Sequence, residues 1–206
     1  MTLNVQDLKV GRAGIALLDG VSFDVCAGDV LVLRGPNGIG KTSLLRSLAG
    51  LQPVLGGRVD VAPDSMAYGA HADGVKGTLT VVENLTFWAR VHGHPVRADV
   101  FDAFDLAHLK DRTAAQLSAG QQRRLGLARL AVTGRLGLLL DEPTVSLDAA
   151  SVALFAAFIQ RHLATGGFAV IATHIDLELK AEVLDLTPYK AQAAAADPAG
   201  FDEAFL

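Results

Sequence analysis

Three runs of the chain are apolar almost without interruption: residues 30–33, 136–140 and 168–172. A strand covered on one face alternates apolar and polar side chains, whereas a parallel strand covered on both faces has no polar position. These runs therefore predict the centre of a parallel sheet. Residues 3–10, 15–18 and 21–26 are shorter alternating segments separated by glycine-containing turns, which predicts an antiparallel sheet. Residues 56–61 and 66–68 predict further strands. From 82 to 105 the pattern is helical, with a break at Gly93-His94-Pro95 because proline cannot continue a helix. Further helical runs cover 121–131 and 149–163, the second lying between the last two apolar strands. Strand and helix alternating in this order predict an α/β fold with a mostly parallel core sheet.

Each apolar run leads into polar residues: the first into Gly35, the second into Asp141-Glu142, the third into Thr173-His174. Parallel sheets bind ligands at the carboxyl ends of their strands, so these termini are predicted to share one crevice. The first terminus is Gly35-Pro36-Asn37-Gly38-Ile39-Gly40-Lys41-Thr42-Ser43, a complete G-x-x-x-x-G-K-T phosphate loop between a strand and a helix. Glycines at 35, 38 and 40 let backbone N–H groups turn inward around an anion, and the following helix adds its positive N-terminal dipole. The motif assigns a nucleoside triphosphate to residues 35–43, with Lys41 on the outer phosphates and the Thr42 hydroxyl on Mg²⁺. Asp141 would orient the Mg²⁺ shell, Glu142 would polarise the attacking water, and His174 would donate beside the γ-phosphate. Catalysis is thus predicted to rest on Glu142, His174 and Lys41.

Ser118-x-x-Gln121 ahead of a helical run is a capping box, and the same helix start offers a hydroxyl and free N–H groups to an anion. Arg123 and Arg124 read as a solvated helical face. His92, His94, His108 and His162 read as loop or surface residues. Phe87 and Trp88, at helical spacing from Leu85, read as core, with contact of one of them to a membrane subunit as the alternative. Cys26, ending an alternating segment, reads as a small packed hydrophobe.

The bulk properties narrow the class. A chain of 206 residues supports one domain spanning 1–206 with a substantial core. Lys+Arg total 18 against 22 Asp+Glu, a net charge of −4, so no overall basic field favours nucleic acid. A phosphate ligand must be held by local geometry. No apolar stretch approaches the roughly 20 residues that cross a bilayer, and the N-terminus lacks the pattern of a secretory signal. A lone cysteine excludes an internal disulfide and fits a reducing cytosol. The alanine-rich stretch from about 191 to 206 reads as a low-complexity tail.

The phosphate loop is followed in order by Leu117-Ser118-Ala119-Gly120-Gln121, Leu138-Leu139-Leu140-Asp141-Glu142-Pro143, Ser146-Leu147-Asp148 and His174. Over essentially its whole length the chain resembles an ABC-type ATPase cassette. That resemblance implies a P-loop NTPase core with an N-terminal antiparallel β-subdomain and a small helical subdomain over about 82–119. It further implies ATP as the nucleotide and a homodimer closed head to tail. Ser118, Ala119, Gly120 and Gln121 would then bind the partner's nucleotide in trans, Asp148 would lie at the dimer seam, and the helical subdomain would meet integral membrane transporter subunits. The family's Leu-Thr-x-x-Glu-Asn segment is present as Leu79-Thr80-Val81-Val82-Glu83-Asn84, but the coupling-loop glutamine ahead of it is replaced by His71. The aromatic that stacks on adenine is also missing, with Gly11 or Arg12 near its place.

Residues 68–76 and 117–124, together with Ala128-Arg129-Leu130, are similar to the haem exporter ATPase of bacterial cytochrome c maturation. That likeness implies a Mg²⁺-dependent ATPase, peripheral on the cytoplasmic face of the inner membrane, which powers a membrane complex for haem export. The ATPase itself would bind no haem, and the chain carries no C-x-x-C-H motif. Two other readings remain open at this stage. The substrate is chosen by membrane subunits, so a transporter of another substrate is the first rival. A non-transport nucleotide-gated clamp would call for a coiled-coil insertion, two cassettes or a basic face, none of which the sequence has.

Overall fold

The computed structural model describes residues 2–70 and 72–192. In chain order its elements are β1 (Thr2–Arg12), β2 (Ile15–Cys26), β3 (Val30–Arg34), α1 (Lys41–Leu48), β4 (Gly56–Asp60), β5 (Met66–Gly69), α2 (Val81–Val91), α3 (Asp99–Ala103), α4 (Ala119–Ala131), β6 (Gly137–Asp141), α5 (Ala149–Ala164), β7 (Phe168–Ala172) and β8 (Glu182–Asp185). They form two sheets. A parallel sheet runs in the order β5-β6-β7-β3-β8, and a three-stranded antiparallel sheet in the order β2-β1-β4.

The apolar runs behave as their pattern requires. Along β3, Val30 and Val32 face one core while Leu31 and Leu33 face the other. Leu138 and Leu140 of β6 join the first core and Leu139 the second; Ala169 and Ile171 of β7 divide from Phe168, Val170 and Ala172 in the same way. The first core is filled from α2 to α5, and the second by α1 and the antiparallel sheet. Leu44 and Leu45 of α1 are fully buried there, each removal from water contributing roughly 1.5–3 kcal/mol. The phosphate-loop helix is thereby wedged between the two sheets.

The segments expected at 15–18 and 21–26 are one strand. Against β1, Val21 pairs with Leu8 and Leu18 with Val10, so β2 carries one extra residue there. Gly20, at φ 75°, takes up that bulge, which keeps Leu18 and Val21 both buried. Alternation then turns Val25 inward and Cys26 outward, so Cys26 is exposed and is not the packed hydrophobe its neighbours suggested. Phe87 also departs from expectation: it lies on the outer face of α2 at 39% exposure, while Leu85 and Ala89 occupy the inner face. Trp88 is partly buried against Arg129 and donates from its indole N–H to the Gly74 carbonyl at 3.2 Å. Strand β8, which gave little sequence signal, pairs with β3 from Leu31 to Arg34. His71 and residues 193–206 of the tail lie outside the described residues.

Candidate nucleotide site

The loop between β3 and α1 turns through Gly35, Gly38 and Gly40, all at positive φ (141°, 79° and 122°), where a side chain would be strained. Helix α1 has no side-chain cap: Gly40 is its N-cap, so the N–H groups of its first turn are left to face a ligand. Lys41 is buried, and its Nζ donates to the Gly35 carbonyl at 2.7 Å. The same Nζ lies 3.3 Å from His174 Nε2, at the end of β7.

His174 connects the first strand end to the second. Its Nε2 is also 3.4 Å from Glu142 Oε1, just past β6. That one nitrogen therefore stands between a cation and a carboxylate. A neutral ring protonated at Nδ1 accepts from Lys41; a ring carrying a proton on Nε2 donates to Glu142. Lys41, His174 and Glu142, which are far apart in sequence, form one continuous group. Asp141 is buried at the end of β6, and the Tyr68 hydroxyl of β5 lies 3.4 Å from its Oδ2. Burial, and then the Asp141 charge, push the Tyr68 phenol up to about 12, so it keeps its proton at neutral pH. Among the described residues no group of three or more His, Cys, Asp or Glu side chains could hold a metal. The buried Asp141 carboxylate and the Thr42 hydroxyl are nonetheless hard oxygen donors, the kind Mg²⁺ accepts when phosphates and waters complete its shell.

The other predicted positions stand apart. Ser118 caps α4: its hydroxyl accepts from Gln121 N at 3.3 Å and Gln121 Oε1 accepts from Ser118 N at 2.9 Å. Ser118 and Ala119 are exposed, and no hydrogen bond among the described residues joins residues 118–121 to the Lys41–His174–Glu142 group. Asp148 caps α5, accepting from Ser151 N at 2.8 Å, and these hydrogen bonds hold its carboxyl below the usual value.

Two arginines at the site carried no sequence signal. Arg34 ends β3 and donates to the carbonyls of Thr173 and Ile175, which bracket His174. Arg123 was expected on a solvated face but is only 5% exposed. Its Nε donates to Pro143 O at 3.0 Å, its Nη2 to Glu142 O at 2.8 Å, and its Nη1 to Ala70 O at 3.2 Å and Asp73 Oδ1 at 2.6 Å. Arg124 is likewise largely covered, paired with Asp105 at 2.7 Å. Backbone carbonyls supplied by tertiary contact, which no helical pattern reveals, account for the burial of Arg123. The histidines divide too: His162 is partly buried beside Gly167, and His92 stacks on Trp88. A groove of about 620 Å³ lined by Phe104, Arg135, Phe158 and His162 lies near the start of β6, away from the strand ends that carry Glu142 and His174.

Residues 18–145 match the ABC transporter family model. The chain belongs to the ABC transporter family. Over 99% of both chains it is 59% identical to the cytochrome c biogenesis ATP-binding export protein CcmA of Rhodobacter capsulatus, and over 98% of both it is 58% identical to the Paracoccus denitrificans protein of the same name. An ABC transporter ATP-binding protein from Pyrococcus furiosus superposes with a TM-score of 0.84 at 24% identity, covering 93% of this chain and all of its own. The two-sheet architecture is that of an ABC ATPase cassette, a P-loop NTPase fold, and the cassette binds and hydrolyses ATP.

Proposed function

We propose that the cassette hydrolyses ATP at a site closed by a second copy of the chain, and that this powers a membrane complex exporting haem for cytochrome c maturation. The chain of contacts from Lys41 to His174 to Glu142 carries the catalytic part of the reading. Lys41 and free backbone N–H groups within the loop of residues 35–43 hold the phosphates. Glu142 polarises the attacking water, and His174 donates toward the γ-phosphate once its Nε2 proton is turned from Glu142. Mg²⁺ would be held by Thr42 and Asp141, where it would neutralise charge on the outer phosphates. Ser118, Ala119, Gly120 and Gln121, at the head of α4 with the first two exposed, suit a role on the partner's nucleotide, with Asp148 at the seam.

The haem assignment rests on the likeness to the CcmA proteins and on the sequence segments around Tyr68 and Ser118. Two exposed apolar side chains on the outer face of α2, Phe87 at 39% and Val91 at 58%, beside the charged Glu83 and Arg90, support contact between this helical region and the membrane subunits. No helix among the described residues is long and apolar enough to cross a membrane, which fits a peripheral subunit at the cytoplasmic face of the inner membrane. In cells carrying Glu142→Gln, covalent haem staining should show c-type cytochromes lost. The purified variant should bind ATP normally but turn it over about 10²-fold more slowly. Normal c-type cytochromes with hydrolysis abolished would overturn the haem reading alone; near-normal hydrolysis would remove Glu142 from its role.

A further inference from the structure

Glu142 occupies a backbone conformation that its side chain does not favour. Its φ is 47°, in the left-handed region, which strains a residue other than glycine and persists only where neighbours fix it. Its own N–H donates to Ala172 O at 2.8 Å. The carbonyls of Glu142 and Pro143 are both held by Arg123. Without that guanidinium, Glu142 keeps the bond of its own N–H to Ala172 O and a longer one from Val145 N to its carbonyl at 3.4 Å, and the Pro143 carbonyl loses its arginine donor.

The same guanidinium reaches a third segment. Its Nη1 binds Ala70 O and Asp73 Oδ1, in the loop that follows β5. One turn further along α4, a Cβ at Gly126 would lie 2.6 Å from Asp73 Cβ, so helix and loop are in close contact there. A planar fork with donors on three nitrogens can serve acceptors on separate segments at once; a lysine ammonium, a single point on a flexible stem, cannot reproduce that geometry. Arg123 thus joins α4, the Glu142-Pro143 turn and the 70–73 loop at one point. Helix α4 is capped by Ser118, the residue read above as serving the opposite nucleotide.

We propose that Arg123 is a positioning residue for Glu142, which sets the carboxylate against His174 and makes its placement depend on where α4 and the 70–73 loop sit. This rests on the reading of Glu142 as the water-polarising group. Each subunit's Arg123 then acts on its own Glu142, although the head of its helix serves the other site.

The test uses purified full-length protein with Mg²⁺ and ATP. Arg123→Lys should lower kcat about tenfold or more while the ATP dissociation constant stays within about twofold, the split expected of a group that matters after binding. A kcat within about twofold of the parent protein, in a setting where Glu142→Gln abolishes turnover, would overturn the proposal. Mixed dimers of Lys41→Ala and Ser118→Arg subunits retain one intact site, built from the phosphate loop of the Ser118→Arg subunit and the Ser118 segment of the other. Arg123→Lys added to the Ser118→Arg subunit should silence that site. Added to the Lys41→Ala subunit, whose own Glu142 already serves a disabled site, it should leave the remaining turnover. The reverse outcome, or equal loss in both, would mean that Arg123 supports the Ser118 segment and not Glu142. Mixed dimers inactive before Arg123 is altered would count against the head-to-tail reading, and the kcat split then decides on Arg123.

Discussion

At the strand ends, Lys41, His174 and Glu142 meet side chain to side chain, with His174 half exposed. Behind them, across α2, α4 and the 70–76 loop, polar groups are buried and bonded mostly to main chain. Arg123 binds the carbonyls of Ala70, Glu142 and Pro143. Asn84, 3% exposed, accepts from Lys76 N at 2.9 Å and donates to the carbonyls of Lys76, Leu79 and Thr80. The front keeps its side chains available for a substrate, whereas the back uses them to hold loops in place. Losses at the front should therefore appear in ATP binding and turnover, and losses at the back in stability or, through Arg123, in turnover without loss of ATP binding.

Lys41→Ala gives the sharpest break on the front side. Loss of a buried charge-assisted donor to phosphate should weaken ATP binding about tenfold or more, with thermal stability in the absence of nucleotide little changed. Titration calorimetry would read it, and an unchanged dissociation constant would contradict the phosphate-loop assignment. Asn84→Ala should do the opposite. It leaves Lys76 N without its side-chain acceptor in a part-buried site and removes the donor to three carbonyls, and should cost about 1–3 kcal/mol in denaturant unfolding while ATP affinity holds. A variant as stable as the parent would show that the 76–84 loop closes without this residue.

The smallest effect concerns pH. Burial pushes the His162 imidazole below its usual value, with hydrogen bonding to Leu136 O opposing the shift. Because the folded pKa is lower than the unfolded one, the unfolded chain takes up the proton first. This part of the stability is complete above the unfolded value of about 6.5 and is lost as pH falls below it. His162→Gln should therefore lose less melting temperature than the parent between about pH 8 and about pH 5.5. Equal losses would place the acid sensitivity elsewhere.

The same division explains what could be read from the sequence. The front is written in local patterns: uninterrupted apolar runs for strands covered on both faces, glycines where the loop takes positive φ, and polar residues where the strands end. The capping box at Ser118–Gln121 is likewise local and forms as expected. Arg123, Arg124 and Arg34 were not legible, because their partners come from segments as far as 141 residues away and an arginine on a helix or strand end carries no mark of burial. Cys26 and Phe87 misled for a related reason. Each is apolar within an apolar stretch, and only the register of the strand or the turn of the helix decides which way it faces.

Strand β8 has a consequence for the integrity of the phosphate-loop strand. It pairs with β3 along Leu31 to Arg34 and presents Glu182 and Asp185, both exposed, at the sheet margin. Without it, β3 would offer a bare row of N–H and C=O groups beside Leu31 and Leu33, a ready template for another chain. A short, charged selvage thus guards the most adhesive strand of the molecule from self-association.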